Sequence, residues 1–205
     1  MNKKKLSTEE RKIQIAEVAL RIIANDGLKK MTANVIANEL GISDSAIFKH
    51  FKNKEEILNS AIDRFEYLLN SCYPTQDEKD PIEKLGKFLI NRMEMVKKHP
   101  EIIKLVFNER LTEAEGEESR ARVQKVVSDS IDFITDCLKQ AKEKKKMNLL
   151  LQPKIIVWMI VGILYGNLRN NTQNNINELE KNSNENSFNP INLWTEIKNF
   201  LTNKS

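Results

Sequence analysis

Between Thr32 and Phe51 two short helix-period runs flank a single glycine, and this spacing constrains the chain more than any other feature. Thr32 stands where an N-cap is needed, Ala33 to Leu40 places Val35, Ile36 and Leu40 on one side, and Gly41 stops the run. Ser43 can cap a following segment, Asp44 to His50, with Asp44 in the first turn where the helix dipole favours a negative charge. Ala37, Gly41 and Ile47 fall at relative positions one, five and eleven. That is the arrangement of a helix-turn-helix: a small residue where the second helix crosses, a turn, and an apolar plug in the angle. Ile36, Leu40 and Ile42 supply further buried contacts and Phe51 closes the small core.

The rest of the chain keeps the helical period. Ile13, Ala16, Leu20 and Ile23 form one face of a helix from Ser7 to Ala24, and Glu55 to Leu69 forms a long amphipathic helix. After a linker at Thr75 to Asp80, helical patterns recur at about Ile82 to Lys98, Pro100 to Glu109, Glu118 to Lys142, Pro153 to Asn170 and Pro190 to Leu201. The segment Asn170 to Asn189 holds nine Asn and reads as a loop. With only 6 Gly and 5 Pro in 205 residues there is too little punctuation for a many-stranded sheet, so the expected fold is all-α, about nine helices. The expected division is a three-helix head at 1–54 and a helical bundle at 55–205.

Charge separates the same two parts. Residues 1–54 carry 11 basic and 6 acidic side chains, net +5, against 22 and 23, net −1, in the remainder. Localised basicity suits a polyanion and points to nucleic acid or an anionic surface for the first part alone. Cys72, Cys137, His50 and His99 are too few and scattered for a disulfide framework or a zinc cluster, so neither metal nor cofactor is expected and a reducing cytoplasm fits. Lys3, Lys4 and Lys5 lead into Ser7, Thr8, Glu9 and Glu10 rather than an apolar stretch, so the mature chain is expected to begin here. The longest apolar run, Ile155 to Tyr165, is about half of the ~20 residues a membrane span needs, and no membrane partner is expected.

The segment Thr32 to Leu58, TANVIANELGISDSAIFKHFKNKEEIL, resembles the DNA-binding signature of TetR/AcrR-type transcriptional regulators, with Phe48-Lys49-His50-Phe51 and Lys54-Glu55-Glu56 as its most specific part. The likeness covers residues 10 to 58; beyond them it is one of helical layout, including Ile160-Val161-Gly162-Ile163-Leu164-Tyr165-Gly166. It implies an all-α homodimer with an N-terminal reading head and a C-terminal effector-binding core. It makes Asp44, Ser45 and Ala46 the exposed start of a recognition helix, preceded by Ser43, with Lys49 able to reach a base edge or a phosphate. Lys donates to phosphate or to guanine acceptors, and the His50 ring N–H suits a phosphate. Thr32 and Lys54 lie at helix N-termini that favour a phosphate, so they position rather than specify.

Two departures from the family pattern stand out. Phe48 replaces the usual Tyr, removing a hydroxyl that could bond a phosphate, and Ser45 replaces a common Gly. Phe48 is therefore expected to act by packing, with Lys49 and His50 taking more of the backbone contact. Asp44 could accept from a cytosine amino group, repel wrong sites, or simply stabilise the helix start while facing water.

By the same resemblance the C-terminal bundle encloses an apolar or amphipathic effector, for which Phe88, Arg92, Met95, Phe107, Ile131 and Trp158 are the candidate contacts. Arg92, amid Leu89, Met93 and Val96, could bind an acidic group or extend to solvent. Trp158, Gly162 and Gly166 fall four apart on one helix face and, with Leu193, Ile197 and Leu201, could build a four-helix dimer interface. The leading expectation is a dimeric repressor released from a palindromic operator on double-stranded DNA by a small-molecule effector. The alternative is an architectural or partner-recruiting DNA binder of the same fold without an effector. An enzyme finds no nucleophile with base and orienter, metal set or phosphate loop to rest on.

Overall fold

The computed structural model describes residues 6–107, 117–147, 151–163, 166 and 189–202. Among them nine α-helices and one 3-10 turn occur, and no strand. The expected loop at 170–189, apart from Asn189, lies outside the described residues, as do Lys3 to Lys5, Leu164, Tyr165 and the ends assigned to Glu109 and Asn170. The chain divides into two compact units, Met1–Leu69 with Glu101–Val127 and Asn70–Pro100 with Ser128–Ser205.

In the first unit, α1 (Thr8–Asp26) starts with a capping box: the Ser7 hydroxyl accepts from the Glu10 N–H at 3.2 Å while the Glu10 carboxylate accepts from the Ser7 N–H at 2.7 Å. Its buried face, led by Ile15, Ala19, Leu20, Ile22 and Ile23, forms the centre of the unit, against α2 (Ala33–Leu40) and α6 (Glu101–Phe107). A 3-10 turn, Leu28–Lys30, which helix periodicity does not signal, leads to fully buried Met31. Then α3 (Asp44–Ile47) and α4 (Lys54–Asn70) follow, and α7 (Glu117–Glu143) begins in this unit. Arg64 on α4 holds Glu17 on α1 at 2.6 Å, and Lys104 on α6 donates to the Asn25 side chain on α1 at 2.8 Å.

The second unit holds α5 (Pro81–Lys98), the later part of α7, α8 (residues 153–163) and α9 (Pro190–Thr202). Asp80 caps α5, its carboxylate accepting from the Ile82 and Glu83 N–H groups at 2.9 and 3.4 Å, with Pro81 in the first turn where its missing N–H costs nothing. Phe88, Leu85 and Leu89 of α5 are buried, and α9 packs on α5 through Trp194, Ile197 and Leu201. None of the described helices is long and apolar enough to cross a membrane.

Candidate functional site

Thr32 caps α2, its hydroxyl accepting from the Val35 N–H at 3.3 Å. At the other end Gly41 adopts the left-handed conformation, φ 64° and ψ 38°, and the Ile42 N–H returns to the Ala37 carbonyl at 3.0 Å. Only glycine takes that turn without a steric cost. The turn sets α3 across α2, where Ile36, Ala37 and Ile47 are each fully buried. With Ile47 and Phe51 pointing inward, the outward side of the segment is left to Ser45, Phe48, Lys49 and Lys52, all exposed.

The second helix is shorter than its periodicity suggests. It runs from Asp44 to Ile47, after which the His50 and Phe51 N–H groups both donate to the Ile47 carbonyl, at 2.9 and 3.1 Å, and the chain tightens into a turn. Ser43 makes no side-chain cap; its hydroxyl pairs with that of Ser45 at 2.8 Å. The Asp44 carboxylate is faced by the Asn34 amide, which donates at 3.4 and 3.5 Å, and the Asn34 side-chain carbonyl accepts from Asn38 at 3.1 Å. A chain of α2 amides thus leads to the first residue of α3, and sequence spacing alone gives no sign of it.

The remaining predicted residues of this site lie around the same segment. Thr32, Ser43 and Ser45 are exposed, and Asp44, Ala46 and His50 are half-buried. Phe48, expected to act by packing, is 53% exposed. Lys49 is exposed and makes no hydrogen bond or ion pair among the described residues. Lys54, at the start of α4, donates to the Leu28 carbonyl at 3.2 Å, which ties α4 to the turn after α1. The His50 Nδ1 is buried without a hydrogen-bond partner among the described residues.

The second unit brings together a different set. The Arg92 guanidinium lies 5.0 Å from the Phe88 ring centroid and donates to the Ser130 hydroxyl at 3.0 Å. The Tyr73 hydroxyl donates to the same Ser130 oxygen at 3.5 Å, and the Tyr73, Phe88 and Phe133 rings sit 4.8 to 5.2 Å apart. Burial pushes the Arg92 guanidinium below its ordinary value, opposed by Cys72 and Tyr73. Phe88 and Met95 are buried and Ile131 is half-buried, whereas Trp158 is 58% exposed. Phe107 ends α6 in the other unit, and its side chain lies outside the described residues. Tyr73, Ser130 and Phe133 were not among the residues the sequence singles out, because contacts spanning 57 residues leave no periodic trace.

On α8, Ile155, Trp158, Met159 and Ile163 are exposed at helical spacing, and a Cβ built at Gly162 or Gly166 meets nothing within 4 Å. Ile197 and Leu201, placed by sequence on the same interface, are instead buried within their own unit, and Leu193 is half-buried. The helical period that lines them up is satisfied by packing on α5, and the exposed apolar side chains of α9 are Ile191 and Phe200.

Residues 15–61 match the family described as bacterial regulatory proteins, tetR family. The nucleoid occlusion factor SlmA of Actinobacillus pleuropneumoniae is 25% identical over 132 residues, a stretch covering 63% of this chain and 64%, under two thirds, of that protein. Among solved structures, the ketosteroid transcriptional regulator KstR2 of Mycobacterium tuberculosis has the same fold, with a TM-score of 0.71, 16% identity and coverage of 95% of this chain and 96% of that one. AibR in complex with isovaleryl coenzyme A and operator DNA is similar at a TM-score of 0.64, with 19% identity and coverage of 94% and 98%.

Proposed function

We propose that this chain, whose residues 15–61 match the tetR family of bacterial regulatory proteins, is a dimeric transcriptional repressor that binds a palindromic operator and leaves it when a small effector occupies the C-terminal bundle. The reading head is residues 1–54; effector binding and dimerisation belong to 55–205. The observation that carries this reading is the exposed side of α3 and of the turn after it, where Ser45, Phe48 and Lys49 are exposed on a helix-turn-helix locked by Ile36, Ala37 and Ile47 in the segment that holds the excess positive charge. Ser43, Asp44, Ser45, Ala46, Phe48 and Lys49 face the major groove, while Thr32, His50 and Lys54 hold phosphates. Asn34 positions the Asp44 carboxylate as an acceptor at the groove-facing end of α3.

Two protomers pair through the exposed apolar side of α8, Ile155, Trp158, Met159 and Ile163, joined by Ile191 and Phe200 of α9. The effector is amphipathic. Its apolar part meets Phe88, Met95 and Ile131, and its acidic part meets Arg92 beside Ser130 and Tyr73. AibR, similar in fold, binds isovaleryl coenzyme A, a ligand with both characters. Effector binding favours a conformation in which the two heads no longer fit successive major grooves together.

Selection of random-sequence duplexes by the purified protein at near-physiological salt tests this. An enriched inverted repeat supports an operator-reading dimer. Salt-sensitive retention without any motif overturns it in favour of an architectural DNA binder, a reading that the similarity to a nucleoid occlusion factor also favours. With an operator in hand, release by metabolite pools tests for the effector. Lys49→Ala weakens binding and relaxes one base preference. Lys54→Ala weakens all sites alike and flattens the salt slope by about one unit; an unchanged slope removes Lys54 from the phosphate contacts.

A further inference from the structure

We infer that Phe48 is a specificity-determining residue that selects thymine, its ring packing on the C5-methyl group at one position of each operator half-site. The inference rests on the proposed operator reading. Ile47 is fully buried and Phe51 is 5% exposed, yet Phe48 between them stands 53% exposed. Among the described residues it is the one large apolar side chain exposed between Ile13 and Tyr67. A single exposed apolar residue needs no explanation on an ordinary surface. This one shares its side of the segment with exposed Ser45, Lys49 and Lys52, which are suited to a polar, anionic partner.

The ring carries no hydroxyl and cannot donate to a phosphate, so it gains nothing from the backbone that Lys49 and Lys52 can hold on either side of it. Base edges in the major groove are polar, and the thymine methyl is the one apolar group that the four bases present there. A ring presented at that edge, on a backbone held by the buried neighbours Ile47 and Phe51, therefore distinguishes thymine from the other bases through the methyl alone.

The test replaces each thymine of the selected operator in turn by deoxyuridine, which removes the methyl and leaves the pairing groups intact. The native protein is expected to lose about fourfold in affinity per substituted half-site at one position and nothing elsewhere. Phe48→Ala is expected to bind the thymine and deoxyuridine operators equally, while Lys49→Ala keeps the difference. Because Phe48 is exposed, the Ala variant should melt with the native protein; a clearly lower melting temperature would place the ring in the head's own packing and overturn the inference. Equal affinity of the native protein for every deoxyuridine operator, or a Phe48→Ala variant that still discriminates, also overturns it and leaves the operator reading intact. A pool without any enriched sequence overturns both.

Discussion

Gly86 of α5 lies directly against the indole of Trp194 on α9: a Cβ built on the glycine would come within 2.4 Å of the Trp194 Cε2 and 2.5 Å of its Nε1. The indole is 6% exposed and cannot swing out without uncovering the buried faces of both helices. Gly86→Ala gains roughly 0.5–1 kcal/mol of helix propensity, but forcing a methyl into a packed contact costs about 1–3 kcal/mol. The overpacking wins. The variant is expected to be about 1–2 kcal/mol less stable in urea unfolding followed by Trp fluorescence; an equal or higher midpoint would contradict the α5–α9 packing.

A stabilising change is available at the end of α7. Lys145 has φ 54°, the left-handed region, and is the one non-glycine residue there among the described residues. The Lys145 N–H donates to the Lys142 carbonyl at 3.0 Å and the Lys146 N–H to the Ala141 carbonyl at 2.9 Å, the paired bonds of a Schellman terminus. Glycine fits that position without the Cβ penalty, so Lys145→Gly is expected to add about 1 kcal/mol. A lowered denaturation midpoint would mean that the Lys145 side chain contributes more than its backbone conformation costs.

These two sites show what a sequence discloses and what it withholds. The start of α2 at Thr32, its stop at Gly41 and the burial of Ala37 and Ile47 are local consequences of capping, chirality and helical period, and all are legible in the residues themselves. The early end of α3 is not. Its four residues are too few for periodicity to measure, and the turn at 48–50 is set by the need to bury Phe51 beside Ile47. The burial of Ile197 and Leu201 within their own unit is not legible for a related reason: period shows that residues share a side of a helix, but which neighbour covers that side depends on α5, a hundred residues away. Gly86 under Trp194, Asn34 on Asp44 and Ser130 between Arg92 and Tyr73 are likewise contacts between distant segments.

Asp80 gives the second unit a pH-dependent contribution. The hydrogen bond from Lys146 holds its carboxyl below the ordinary range, joined by the Ile82 and Glu83 N–H groups and opposed by partial burial. A depressed value in the folded state means that the contribution is present in full above the unfolded value, about pH 3.9, and is lost as pH falls through the folded value. Asp80→Ala is expected to cost about 1 kcal/mol at pH 7 from the lost cap, the exposed ion pair adding little. Asp80→Asn should keep most of the cap and lose the Lys146 pair. Native protein and the Ala variant should therefore converge in stability on titration below pH 4; a difference that persists unchanged at pH 2 would assign the effect to packing instead of the carboxylate.

In the first unit, Arg122 of α7 joins α4 through a fork. Its Nη2 lies 2.7 Å from the Glu66 Oε2 and 2.5 Å from the Asp63 Oδ1, and its Nε donates to the Glu66 Oε1 at 3.1 Å. The bidentate bond to Glu66 is the part that geometry favours; Asp63 is 66% exposed at its side chain, so its share is reduced by solvent. Arg122→Ala is expected to cost about 1 kcal/mol, and a double-mutant cycle with Glu66→Gln should return a coupling of about 0.5–1 kcal/mol, larger than the cycle with Asp63→Asn. Arg122→Lys keeps the charge but cannot form the two parallel bonds, so it should recover less than half of the loss. In 1 M salt, where screening acts within about 3 Å, the Asp63 coupling should vanish first and the Glu66 coupling persist in part. Strictly additive effects of the Arg122 and Glu66 changes would mean that the fork contributes nothing to holding α7 against α4.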